Sequence, residues 1–172
     1  MRDFSLHLPI NSVSFGQVSV ALLREFHARG LQPCLFPISD QYDLSAQDDL
    51  SDDFQKWITS CLNKRHEQHS RKNPIFKLWH LNGSLESFSE KQILFSFHEL
   101  DEITPTEKNI ANNNKLIVSS SFSKEVFESN GINDVTNIPL GFDSHNFKVK
   151  EQSYVKNKIV FNLCGKLEKR KN

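Results

Sequence analysis

Short apolar runs alternate with helix-patterned segments along most of this chain, and that alternation restricts its fold more than any other feature. The runs are "FSLHLPI" (4–10), "CLFPI" (34–38), "PIFKLWHL" (74–81), "QILFSFHEL" (92–100), "KLIVSS" (115–120) and "VTNIPLG" (135–141). Between them lie segments of helical period. "QVSVALLREFHARG" carries Val18, Leu22 and Phe26 at four-residue spacing, then Gly30 where a helix end favours a left-handed residue. "DDFQKWITSCLNKRHEQHSRK" sets Phe54, Trp57, Ile58, Cys61 and Leu62 on one stripe. "TPTEKNIANNN" has Pro105 near its start, and "SFSKEVFESNG" is closed by Gly131. Residues 39–53 are polar and acid-rich, a loop or helix entry. Strand runs that are continuously apolar belong to a parallel sheet covered on both faces. The pattern therefore predicts an α/β fold: a Rossmann-like open parallel sheet of about six strands with helices on both faces.

Composition narrows the class without choosing a partner. The 172 residues are 37% hydrophobic and 24% charged, enough for one good core and a fragment of another. Basic and acidic residues balance at 21 each, so net charge points to no particular partner. Basic residues gather late, with Lys166, Lys169, Arg170 and Lys171 in the last seven positions, a solvated tail or a place to meet phosphate. No apolar run approaches the ~18 residues of a membrane helix. The start "MRDFSLHLPI" has no signal-peptide hydrophobic stretch, and Cys34, Cys61 and Cys164 are odd in number and scattered. Both features point to reduced thiols and the cytoplasm. The aromatic residues fall at core positions, so stacking on nucleic acid has no support.

Open α/β sheets bind ligands beyond the carboxyl ends of their strands, and those ends can be read directly. The first run ends in "NSVSFGQ", where Ser14, Gly16 and Gln17 form a candidate acceptor or phosphate loop: Gly16 would let backbone approach a ligand, and the helix start favours an anion. A plain tight turn explains the same residues. No G-x-G-x-x-G is present, which argues against a dinucleotide cofactor. The third run ends in His80-Leu81-Asn82-Gly83 and the fourth in His98-Glu99-Leu100-Asp101-Glu102. His98 and Glu99, an imidazole beside carboxylates at a ligand-binding end, are the candidate catalytic pair for proton transfer or hydroxyl recognition. The alternative has His98 bonded to a neighbouring carbonyl while the acids face water. "HEQH" (66–69) falls one residue short of H-E-x-x-H in a polar setting, so a metal site is not expected. Ser119, Ser120 and Ser121 are placed to cap the next helix.

The stretch "FSFHELDEITPTEKNIANNNKLIVSSSFSKEVFESNGINDVTNIPLGFDSHNF" resembles the GT-B glycosyltransferases of the group-1 and family-4 type. Their E-x-D-x-x-P segment is met by Glu99, Asp101 and, one residue late, Pro105. Their S-F-x-x-E-x-F-x-x-S-G-(V/I) segment is met by Ser121, Phe122, Glu125, Phe127, Ser129 (one residue early), Gly131 and Ile132. Ile138, Pro139, Gly141, Phe142, Asp143 and Phe147 match (V/I)-P-x-G-(V/F)-D-x-x-x-F, and "GKLEKRK" is similar to G-(R/K)-x-x-x-x-K.

The resemblance implies a retaining, metal-independent transferase that moves a sugar from a nucleotide-diphosphate donor to a hydroxyl acceptor, with no separate cofactor. It also implies a layout: an acceptor-side domain over 1–149, a linker at 150–157, and the start of a truncated nucleotide-sugar domain at 158–172. Lys166 and Lys171 would contact the donor diphosphate. On this layout the chain is inactive alone, and its apolar "KIVFNLC" run is a possible route to self-association. Two other classes stay open: a non-enzymatic acceptor-binding module, and an unrelated Rossmann-like enzyme.

Overall fold

A computed structural model describes residues 3–144. It opens with β1 (Ser5–Ile10), α1 (Ser14–Ala28) and β2 (Cys34–Tyr42), followed by α2 (Asp52–Gln68), β3 (Ile75–Leu78) and β4 (Gln92–Ser96). α3 (Pro105–Asn112), β5 (Lys115–Val118), α4 (Ser121–Ser129) and β6 (Val135–Asn137) complete it. The six strands form one sheet in the order β2-β1-β3-β4-β5-β6, and every neighbouring pair is parallel. The expected α/β architecture is thus present.

Strand periodicity divides the core between the two faces of the sheet. On one face Leu6, Leu8, Ile10, Leu35, Leu78 and Phe95 pack with Phe15, Val20 and Leu23 of α1. On the other, Leu94, Leu116, Val118 and Val135 pack with Ile110 and Ala111 of α3 and Phe127 of α4. α2 runs along the edge strand β2: its Phe54 meets Arg24 and His27 of α1, while the Lys64 carbonyl lies 3.7 Å from the Cys34 thiol. Each fully buried Leu, Ile or Phe in these clusters contributes roughly 1.5–3 kcal/mol relative to exposure.

Three helix starts are fixed by side chains. Ser51 Oγ accepts from the Phe54 amide, and Asp52 and Asp53 complement the helix dipole. Thr104 and Glu107 cap each other reciprocally at α3, behind Pro105. Ser120 Oγ accepts from the Ser123 amide, so the serine run does cap α4.

The structure departs from the expected elements in three places. β2 continues past Ile38 to Tyr42 through a bulge, with Ser39 at φ +68° and Tyr42 opposite Ile10. α1 begins at Ser14, so Ser14, Gly16 and Gln17 form its first turn and not a preceding loop. α2 stops at Gln68 because His69 is extended, at φ −67° and ψ 135°. Between β3 and β4 the chain crosses over without a helix. Among the described residues no helix is long and apolar enough to span a membrane. The linker and second-domain positions, 150–157 and 158–172, lie outside the described residues.

Candidate functional site

The strand order reverses at β1, whose neighbours β2 and β3 are reached by opposite excursions of the chain. That reversal places the α1 start and the ends of β3 and β4 along one edge, where open α/β sheets hold ligands. α1 begins at this edge with Val13 as N-cap and no side-chain cap. Asn11 is close by: its Oδ1 accepts from the Val13 amide at 3.1 Å.

Gly16 is needed here for packing. A Cβ at this position would overlap the Asn11 carbonyl oxygen and stand 2.5 Å from Asn11 Oδ1. The sequence leads Gly16 to be expected to let backbone approach a ligand; the close contact seen here is with Asn11 of the same chain. Gln17 belongs to a chain of amides: Nε2 donates to the Ser12 carbonyl at 3.3 Å, and Oε1 accepts from Gln47 Nε2 at 2.7 Å. Gln47 Oε1 in turn faces Arg24 Nη2 at 3.4 Å, and that guanidinium also donates to the carbonyls of Asp48 and Asp49. Gln17 thus ties the 47–49 loop to α1. Ser14 is exposed in the first turn.

A cleft of about 310 Å³ opens at the same edge, lined by Trp79, His80, Leu81, Asn82, Phe97, His98 and Glu107. Phe15 packs against three of these lining residues, its ring centroid 4.5 Å from His80, 4.7 Å from Phe97 and 5.9 Å from Trp79. Since Phe15 stands between Ser14 and Gly16, and Phe97 precedes His98, one aromatic contact links the start of α1 to the end of β4. Glu107 reaches the cleft from the first turn of α3, where its Oε2 also accepts from the amide and hydroxyl of Thr104, both at 2.8 Å.

His98 is 8% exposed and packs 5.0 Å from the Phe127 ring. Its Nε2 lies 3.2 Å from the Glu102 carbonyl, which can only accept, so this bond takes the Nε2 proton and, in the neutral ring, leaves Nδ1 as acceptor. The His98 carbonyl accepts from Ser123 Oγ at 2.7 Å, fixing the end of β4 to the start of α4. Glu99 is exposed, as are Asp101 and Glu102. The arrangement offers an imposed tautomer, an aromatic wall suited to a sugar or ring face, and amide and carboxylate groups for hydroxyls.

His66 and His69 do not converge. His69 Nε2 donates to the Phe88 carbonyl at 2.8 Å and Nδ1 accepts from Ser5 Oγ at 3.1 Å, while His66 Nε2 accepts from Arg65 Nε at 3.2 Å. Among the described residues no three His, Cys, Asp or Glu side chains gather to hold a metal ion. Sequence reasoning named His80 and Asn82 as a strand end but missed Trp79, Phe97 and Glu107. Trp79 and Phe97 were read only as strand residues, and the Thr104-x-x-Glu107 spacing was the available sign of an acid held at a helix start. Lys166 and Lys171 lie outside the described residues.

No family model, curated protein or solved structure matches this chain.

Proposed function

We propose that residues 1–149 are the acceptor-side domain of a GT-B-type glycosyltransferase, acting with retention on a nucleotide-diphosphate sugar donor and a hydroxyl acceptor. The observation that carries the reading is the carboxyl-edge cleft, in which His98 meets Trp79, Phe97, Asn82 and Glu107. Aromatic faces with a few convergent polar groups suit a saccharide, whose apolar CH faces stack while its hydroxyls bond. The motif resemblance of residues 92–147 supports the same reading. Here His98 Nδ1 accepts a hydroxyl hydrogen, the exposed Glu99 that follows it in the chain supplies charge, and the uncapped α1 start with Ser14 favours an anionic group. Lys166 and Lys171 serve the donor diphosphate. Buried free thiols at Cys34 and Cys61 fit a reducing, cytoplasmic setting.

A second reading, a saccharide-binding module without chemistry, is favoured by the Glu102 carbonyl and the Phe127 ring, which hold His98 as they would a structural histidine. Trp79 allows a direct test, because the chain has two tryptophans and Trp57→Phe leaves it as sole reporter. Titration with a panel of saccharides should change Trp79 emission, and His98→Ala should weaken the response. Transfer from a nucleotide-sugar is expected where residues 1–149 act beside a donor-binding domain, and His98→Ala should abolish it there. Transfer that survives His98→Ala makes His98 a structural residue of a transferase, whereas saccharide binding with no transfer beside a donor-binding domain favours the module reading. A cleft indifferent to every saccharide and nucleotide-sugar overturns both readings.

A further inference from the structure

Lys77 occupies a position where a central parallel strand ordinarily places an aliphatic residue. It lies in β3 with β1 on one side and β4 on the other, paired with His7 and Leu94, and is 3% exposed. An ammonium costs several kcal/mol to bury, so a strand that retains one is using its donors. Here they reach out of the sheet to the connection above it: Nζ donates to the Glu86 carbonyl at 2.9 Å and to the Gly83 carbonyl at 3.3 Å. Burial lowers the pKa of Lys77, and the neighbouring Glu86 carboxylate opposes that shift.

The anchored segment has no helix of its own to hold it. Gly83 turns the chain at φ +81°. Ser84, the next residue, donates from Oγ to the His80 carbonyl at 2.5 Å and from its amide to the Leu81 carbonyl at 2.9 Å. Its own carbonyl accepts from Gln92 Nε2 at 2.6 Å. Two short links therefore join the Lys77 ammonium to residues 80–82, which form one wall of the cleft.

We propose that Lys77 is a positioning residue for the cleft: from inside the sheet it fixes Gly83 and Glu86, and through Ser84 it sets the wall made by His80, Leu81 and Asn82. The service this gives to an acceptor rests on the function proposed above, but the positioning can be read without any ligand. If saccharides fail to bind and the wall still depends on Lys77, only the functional reading falls.

The experiment uses Trp79, whose ring lies 5.2 Å from that of His80, as the only tryptophan of the Trp57→Phe chain. Acrylamide quenching is compared for Lys77, Lys77→Met and Lys77→Gln well below the unfolding transition. The Met variant keeps length without donors, and the Gln variant keeps two N–H donors. Quenching should rise about twofold in folded Lys77→Met, the mark of a wall that opens locally, and recover part of the way towards the parent in Lys77→Gln. A folded Lys77→Met with unchanged quenching overturns the proposal. If Lys77→Met does not fold, Ser84→Ala decides, since it cuts only the link between the anchored turn and His80. Increased Trp79 quenching in Ser84→Ala with a parent-like unfolding midpoint supports the proposal, and unchanged quenching overturns it.

Discussion

The ring of Phe15, in the first turn of α1, lies 4.5 Å from that of His80, just past the end of β3. Helix start and strand end are thereby clamped at the point where the strand order reverses. Phe15→Ala removes a side chain that is 9% exposed and also touches Phe97 and Trp79. It should cost about 3 kcal/mol in urea unfolding, from lost transfer energy and the cavity left behind. A loss much smaller than that would mean the edge collapses easily into the vacated space.

Gly16→Ala should destabilise for a different reason. The added methyl meets the Asn11 backbone, which is not the yielding end of a flexible side chain. A cost of about 1–3 kcal/mol is expected from the forced shift of α1 against β1. Thermal unfolding is the check, and a variant as stable as the parent would show that Gly16 is not held by this packing.

Glu107 has two roles that substitution can separate. Thr104→Ala should cost about 1 kcal/mol by removing a cap. Glu107→Gln preserves the reciprocal capping pattern and should stay within about 0.5 kcal/mol of the parent. If a cleft ligand weakens in Glu107→Gln while stability holds, the carboxylate serves that ligand. If stability falls as far as in Thr104→Ala, its role is the cap.

Burial pushes the Cys61 thiol up to about 12 from its ordinary 9.0, with the Lys64 ammonium opposing, and raises Cys34 for the same main reason. Below pH 9 folded and unfolded chains both keep these protons, and the stability tied to the neutral thiols is fully present. As pH climbs from 9 toward 12 the unfolded chain ionises first, so stability falls, by at most roughly 1.4 kcal/mol per pH unit for one thiol. Urea midpoints at pH 8 and pH 10, with Cys61→Ala as reference, isolate this slope. In a Cys164→Ser background Ellman's reagent should react at pH 8 only after unfolding.

Most of the fold was legible because strand and helix periods differ and the strands are buried on both faces. All six apolar runs became parallel strands, and Gly30 and Gly131 mark helix ends at φ +65° and +82°. Boundaries failed where backbone geometry overrode composition: polar Ser39–Tyr42 stayed in β2, and Ser14 was drawn into α1. The cleft was less legible than the sheet. His98 could be placed at a strand end, but the partners that define its surroundings, Glu102, Phe127 and Ser123, come from a following loop and a separate helix. Lys77 was hidden altogether, since one lysine in an apolar run reads as a surface residue until the strand's position in the sheet is known.

The helix-less passage from β3 to β4 has a consequence for how this edge can change over time. A helix holds its shape through a ladder of backbone bonds that most sequences satisfy. This passage is instead set by a few side-chain donors, Lys77, Ser84 and Gln92 among them. Replacing one of these would reshape the rim while leaving the parallel pairing of β1, β3 and β4 in place. Variation in what the cleft accepts is thereby uncoupled from the inheritance of the sheet, and divergence among descendants of this chain would concentrate between residues 80 and 92.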